Sequence, residues 1–164
     1  MKFLFMGDRD TGKTTVANMM CQKYNEVLMP TIGMQFHTSA SHLHKIWDLS
    51  GDKTSENLRN AVTNDCQAIV YFCTDQKSFD SIKNFWYVRS DKRKYMVVKC
   101  APTLEMKSFA SDNKIKFILT TCNQTSAKIL AEHEWSKTVH AKPWCCFPFL
   151  YRRAKKYDRL LVPS

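Results

Sequence analysis

Gly7-Asp8-Arg9-Asp10-Thr11-Gly12-Lys13-Thr14 follows directly on the apolar run Lys2-Phe3-Leu4-Phe5-Met6. The octad fits GxxxxGK closed by Ser or Thr, which makes a phosphate-binding loop when a strand precedes it and a helix follows. Beyond the loop, Val16, Met19, Met20 and Tyr24 fall at helical spacing, so both conditions are met. The two glycines let the backbone bend until its N–H groups point inward, and the helix N-terminus adds its dipole. Lys13 would reach the β- and γ-phosphates of a nucleotide and the Thr14 hydroxyl would bind Mg²⁺. The loop alone does not separate GTPases from ATPases or nucleotide kinases.

Outward from the loop, hydrophobic period sets the order of elements. Alternating segments at Met34–Thr38 and 42–47 flank the small turn Ser39-Ala40-Ser41 and predict a hairpin. Leu58 and Val62 suggest a short helix. Ala68–Cys73 is continuously apolar, as a strand covered on both faces must be. Phe79, Ile82, Phe85, Trp86 and Arg89 mark an amphipathic helix with Ser78 as N-cap. Strands at 95–99 and 116–120 enclose a weak helix at 104–110, and Ala127, Ala131, Trp135 and Val139 form a stripe on a final helix. Strands alternating with helices predict an α/β fold: a three-layer sandwich around a mostly parallel sheet with one antiparallel hairpin strand. Pro143, Pro148 and Pro163 break the pattern, so a P-loop domain at 1–140 and a partly ordered tail at 141–164 are expected.

The chain's 164 residues suit one core of ordinary domain size, and 44% hydrophobic with 24% charged residues is a globular composition. No apolar run approaches the roughly 20 residues of a membrane helix. Asp8-Arg9-Asp10 ends the first apolar run too early for a signal peptide, so that run reads as a buried strand. The seven cysteines are odd in number and lack CxxC spacing. This argues against zinc and a disulfide framework and for a reducing, cytoplasmic setting. The net charge of +10 is concentrated toward the end, where Lys137, Lys142, Arg152, Arg153, Lys155, Lys156 and Arg159 face only Asp158. Such a tail reads first as a solvated extension, and no nucleic-acid partner is expected.

Two further motifs narrow the field. Thr31-Ile32-Gly33 precedes the hairpin and Trp47-Asp48-Leu49-Ser50-Gly51 closes it. With these the chain resembles the Ras-superfamily small GTPases over residues 1 to about 140. It looks similar to the Rab branch through Pro30-Thr31-Ile32-Gly33, Thr74-Asp75 and Ser78-Phe79. From 47 to 86 it looks closer to the septum-promoting and mitotic-exit GTPases, through Trp47-Asp48-Leu49, Asn64-Asp65, Ser81-Ile82-Lys83 and Phe85-Trp86. The resemblance implies GTP or GDP with Mg²⁺ as ligands. It implies Thr14, Thr31 and Asp48 around the metal, and a Gly51 N–H on the γ-phosphate. Asp8, Arg9, Asp10, Thr11, Gly12, Lys13, Thr14 and Thr15 would form the phosphate loop. Lys99 would lie along the base, with Thr121 and Cys122 in the last base-contacting loop. A second register, Gln124-Thr125-Ser126-Ala127-Lys128, is open for that loop, and Tyr24 is a weak candidate to cover the base. The partners implied are protein effectors and regulators, a GAP or an exchange factor.

Three departures from the family matter. The glutamine after the motif's glycine, which orients the attacking water, is Asp52 here; its shorter, charged side chain predicts slow hydrolysis. Arg9 and Asp10 stand where many members have small residues. Arg9 has three fates open to it: obstructing a GAP's arginine, lending its own charge in cis, or pairing with Asp10 or Asp52 at the surface. Thirdly, the guanine-reading Asn- or Thr-Lys-x-Asp corresponds to Val98-Lys99-Cys100-Ala101, so the base-accepting aspartate is missing. Losing such an acceptor costs discrimination between bases. The tail lacks a prenylation box; Cys145-Cys146 reads as inert thiols or as a palmitoylation site beside basic residues.

These observations predict a GTP-dependent switch with impaired hydrolysis, in septation, mitotic exit or vesicle-type signalling. A pseudo-GTPase serving as a binding module is the alternative, favoured by Asp52 and Ala101. An ATPase or nucleotide kinase is a third, opposed by the Thr31 and Trp47–Gly51 motifs and by the lack of an arginine-bearing lid insertion.

Overall fold

Every residue of Ala68–Cys73 is buried in the computed structural model, and this strand, with the one that opens the chain, organises the rest. The structure describes residues 1–23, 29–39, 42–53, 56–119, 127–128 and 130, all within one unit, Met1–His133. A second unit, Glu134–Ser164, lies outside the described residues, and with it the tail expected from 141. The elements run β1 (Lys2–Met6), α1 (Lys13–Met20), β2 (Met34–Thr38), β3 (Lys45–Leu49), α2 (Glu56–Asp65), β4 (Ala68–Cys73), α3 (Gln76–Ser81) with a π-helical turn (Ile82–Trp86), β5 (Arg93–Val98), α4 (Leu104–Asp112) and β6 (Ile115–Leu119).

The sheet order is β2-β3-β1-β4-β5-β6, and only the β2–β3 pair is antiparallel. This is the three-layer α/β architecture the sequence predicts. Side chains of successive strand residues point to opposite faces, which explains the unbroken apolar runs. Leu4 and Met6 face one core with Ile69, Tyr71, Phe79, Ile82, Trp86 and Met96. Phe3 and Phe5 face the other with Val16, Ala17, Ile46, Val70, Phe72, Ala127 and Leu130. Each such side chain contributes about 1.5–3 kcal/mol by leaving water. β1 pairs with β3 on one side and β4 on the other. The chain therefore changes direction of winding beside β1, and ligands bind at the carboxyl end of a strand at such a switch point.

Several boundaries differ from expectation for identifiable reasons. The second hairpin strand starts at Lys45, not at 42, and the turn is longer than Ser39-Ala40-Ser41. His42 has φ +57, which no strand residue holds. Ser39 ties the connection, its N–H donating to His44 O at 2.9 Å and its hydroxyl accepting from His44 N at 3.1 Å. Ala40 and Ser41 lie outside the described residues. β6 begins at Ile115, whose buried side chain follows Lys114 at φ +54. Of the final helix, Ala127 and Leu130 are buried in the core; Ala131, Trp135 and Val139 lie outside the described residues.

The third helix begins earlier than expected, and its cap is Asp75 rather than Ser78. Asp75 Oδ1 accepts from Ser78 N at 2.7 Å while Ser78 Oγ accepts from Asp75 N at 3.0 Å, a reciprocal capping box. Arg89 lies beyond the helical turns, which end at Trp86. The cap leads to a stability prediction. Asp75→Ala should lose about 1 kcal/mol in urea unfolding and Asp75→Asn much less, because the asparagine keeps the accepting oxygen. Equal losses in the two would deny Asp75 this role.

Candidate functional site

The phosphate loop leaves β1 at Gly7, whose φ of +142 admits few side chains; a Cβ there would stand 2.8 Å from Phe72 O. Asp10 holds φ +60 and Gly12 φ +87, so the loop curls through two left-handed residues before α1 begins. Gly12 caps α1 without a side-chain hydrogen bond, and the turn is closed by Val16 N donating to Gly12 O at 3.1 Å. The loop and helix N-terminus line one wall of a cavity of about 280 Å³, through Arg9, Asp10, Gly12, Lys13, Thr14 and Thr15. Met29, Pro30 and Thr31 line a second wall, Ser50 and Gly51 a third. Asp8 and Thr11 do not line it.

Lys13 is 5% exposed, and its ammonium donates to the carbonyls of Gly7 at 2.8 Å and Asp8 at 2.7 Å. Burial lowers its pKa to about 8, against the opposing pull of Asp48, Asp8 and Asp10. A cation so poorly hydrated, facing a cavity at a helix N-terminus, is arranged to receive an anion.

Thr14, Thr31 and Asp48 are assembled at the same cavity from three elements. Thr14 Oγ1 donates to Asp48 Oδ2 at 2.5 Å and stands 3.1 Å from Thr31 Oγ1, which is 3.4 Å from the same carboxylate oxygen. His37 Nε2 lies 4.0 Å from that oxygen. Asp48 is fully buried, and its Oδ1 has no hydrogen-bond partner. Burial raises the Asp48 pKa, opposed by the Thr14 hydrogen bond and then by Lys13, His37 and Thr31. Two hydroxyls and a carboxylate with an orphaned oxygen form the oxygen set a hard dication takes, so the residues fit magnesium.

Gly51 packs on the phosphate loop so closely that a Cβ would collide with Arg9 N and stand 2.6 Å from Asp8 C. Beyond it, Asp52 meets Arg9, Nη2 to Oδ2 at 3.1 Å, with side chains 41% and 68% exposed. Of the fates open to Arg9, the structure thus has the surface pair with Asp52. Asp10 lines the cavity wall. Lys99 donates from Nζ to Thr11 O at 2.7 Å and from its backbone N to Cys73 O, tying the end of β5 to the phosphate loop. Thr121 and Cys122, the alternative register through Ser126, and Tyr24 lie outside the described residues.

Sequence reasoning missed Met29, Pro30 and Ser50 in the cavity wall. It also missed the commitment of the Asp8 side chain, whose Oδ1 accepts from Ser81 Oγ at 2.7 Å and Trp86 Nε1 at 2.8 Å. Asp8 can therefore offer a phosphate its backbone, its carboxylate being engaged elsewhere. The signal for the first group was membership of the quoted motifs for Pro30 and Ser50 and adjacency to one for Met29; nothing in the sequence pairs Asp8 with residues so distant.

Comparison with known proteins gives two results. The family model described as Ras of Complex, Roc, domain of DAPkinase matches residues 2–101, more than half of the chain. Among curated relatives, the Ypt/Rab-type GTPase ypt71 of Schizosaccharomyces pombe is 32% identical over 94 residues, 52% of this chain and 45% of the relative. The Ras-related protein Rab7 of Glycine max is 30% identical over 94 residues, 52% of this chain and 46% of the relative. The Ras-related protein Rab-8A of Bos taurus is 31% identical over 93 residues, 51% and 45%. The matched stretch is about half the length of each of these relatives.

Proposed function

The chain belongs to the Ras superfamily of small GTPases, as a divergent, Rab-like member matched by the Roc family, and from that premise we propose that it is a guanine-nucleotide switch that hydrolyses GTP slowly. The observation that carries this reading is the meeting of Thr31 and Asp48 with Thr14 at the edge of the Lys13 loop. Thr31 lies in the segment before β2 and Asp48 at the end of β3, so occupancy of one cavity biases both segments. A loop held by contacts to the terminal phosphate relaxes when that group leaves.

When bound, magnesium would neutralise phosphate charge, held by Thr14 and Thr31 with Asp48 beside it. Lys13 exchanges its two carbonyl partners for phosphate oxygens, and the backbone N–H groups of residues 10–15 orient the chain of phosphates. Gly51 would offer its N–H to the terminal phosphate, its missing Cβ being what lets it pack against the backbone of Asp8 and Arg9. Asp52 is a poor orienting group for water, because it presents a carboxylate rather than an amide.

Protein effectors and regulators are the proposed partners. Beside Thr31, Met29 is 70% exposed, Ile32 92% and Phe36 68%, an apolar face next to the segment that would respond to nucleotide. A role in septation or mitotic exit rests on the likeness between 47 and 86, and a cytoplasmic setting on the cysteine pattern. Among the described residues no helix is long and apolar enough to cross a membrane.

A pseudo-GTPase module is the second reading, favoured by the engagement of Asp52 with Arg9 and by Ala101 at the base-reading position. Denaturing the purified protein, identifying the released nucleotide, and then following single-turnover hydrolysis with Mg²⁺ separates the two. Bound GDP with slow GTP turnover is expected for the switch. An empty protein without affinity for GTP or ATP would establish the module, and ATP turnover would overturn both.

A further inference from the structure

Asp8 fastens the phosphate loop to an element that the nucleotide cycle described above does not use. Its carbonyl accepts from Lys13 Nζ at 2.7 Å and Thr11 Oγ1 at 2.8 Å, so the backbone of Asp8 orders the lysine and the loop interior. Its Oδ1 accepts from two donors, Ser81 Oγ and Trp86 Nε1, that are 7% and 1% exposed. Two neutral donors converging on one carboxylate oxygen form a strong, charge-assisted anchor.

The π-helical turn explains how these donors reach one atom. In an α-helix, residues five apart lie roughly 140° apart around the axis, since each residue advances about 100°. Bonding from i to i+5 widens the turn and brings such a pair toward one side. Here Tyr87 N donates to Ile82 O at 2.8 Å; Ser81 directly precedes that widened turn and Trp86 is its last residue. The same turn is also held by Arg59 of α2. Its guanidinium donates to Phe85 O and lies 4.7 Å over the Phe85 ring.

We infer that Ser81 and Trp86 are positioning residues for the phosphate loop, acting through the Asp8 carboxylate, and that the π turn thereby sets how long nucleotide is held. The inference rests on the nucleotide reading of the cavity. It makes α2, through Arg59, a second handle on the loop, separate from the Thr31 segment.

The test is the release rate of N-methylanthraniloyl-GDP from the full chain in Mg²⁺ buffer, chased with GDP. Trp86→Phe keeps the ring and removes the N–H; Ser81→Ala removes the other donor. Each should quicken release about tenfold, the effect of losing one hydrogen bond to a charged group. Asp8→Ala should do at least as much, and Asp8→Asn, which keeps an accepting oxygen, should restore most of the slow release. In the Asp8→Ala background Trp86→Phe should add nothing, since its partner is gone. Parent-like release from both Trp86→Phe and Ser81→Ala would overturn the inference. So would an undiminished Trp86→Phe effect in the Asp8→Ala background, which would mean that Trp86 acts by packing. If Trp86→Phe does not fold, Ser81→Ala with the two Asp8 variants completes the same cycle. A parent that takes up no nucleotide removes the reading of the cavity and this inference together; normal uptake with unchanged release removes only this one.

Discussion

Lys13→Met should bind GDP and GTP at least about a hundredfold more weakly than the parent, yet unfold at a higher temperature when no nucleotide is present. Both effects come from one buried ammonium. Lys13 is held among the carbonyls of Gly7 and Asp8, and burial brings its pKa down to about 8. The unfolded chain binds that proton up to the ordinary lysine value near 10.5. Between these two values the unfolded state carries more protons, so the contribution of Lys13 to stability rises with pH across the window from about 8 to 10.5. Below about pH 8 the folded protein bears the full cost of the desolvated charge. Methionine removes that cost, offset in part by the two carbonyls that lose a donor. The net gain at pH 7 should be on the order of 1–3 kcal/mol. Thermal melts of nucleotide-free protein from pH 7 to 10 check this: the parent's midpoint should climb relative to the variant's above pH 8. On the proposed reading, charged phosphate oxygens are the partners for which the desolvated cation is kept, and a charge-assisted contact of this kind would contribute several kcal/mol in a site sheltered from water. A methionine variant that bound nucleotide as tightly as the parent in calorimetry would show that the loop is not a phosphate site.

How far this site was legible depends on the range of the interaction in sequence. The β1–loop–α1 unit could be read because its signals are local: an apolar run, two glycines and a lysine within thirteen residues of the start. β4 was equally plain, since burial on both faces leaves no room for a polar residue. The α3 start was misread because a serine and an aspartate three residues apart are both good caps. Only the reciprocal bonding between Asp75 and Ser78 tells which is outside the helix. The hairpin turn failed for a similar reason: His42 looks like a strand residue in an alternating pattern, but it holds a positive φ in a turn where its N–H donates to Ser39 O at 2.8 Å. Thr14 came from the phosphate-loop motif, Thr31 and Asp48 through family resemblance, and the structure assembles the three; spacing alone would not have joined them. The Asp8 anchor was out of reach altogether. Its donors are 73 and 78 residues away, and a tryptophan on an amphipathic helix gives no sign that its N–H has a specific partner.

Asp52→Gln should raise the single-turnover rate of GTP hydrolysis about ten- to a hundredfold without shifting the melting temperature by more than a degree or so, on the scale of one well-placed polar group. Asp52 lies directly after Gly51, whose backbone packs on the phosphate loop and lines the cavity, so on the proposed reading its charge would stand toward the terminal phosphate. There it would repel the group to be attacked, and being acceptor-only it could not donate to that group while orienting the water. Arg9 Nη2 at 3.1 Å masks part of the charge, but the pair is largely exposed and adds little to stability. Two companion variants divide the causes. Asp52→Ala removes the repulsion without supplying an amide; if it speeds hydrolysis as much as glutamine does, charge was the obstacle and water orientation contributes little. Arg9→Ala unmasks the carboxylate and should slow the parent further. In the Asp52→Gln background it should have a smaller effect, unless the freed guanidinium has turned to the phosphate and assists in cis, in which case the double variant falls back to the parent rate. An Asp52→Gln protein no faster than the parent would place the impediment elsewhere, at Asp10 or in the bulk of Arg9 itself, because only the orienting amide and the sign of the charge differ between the two side chains at that position.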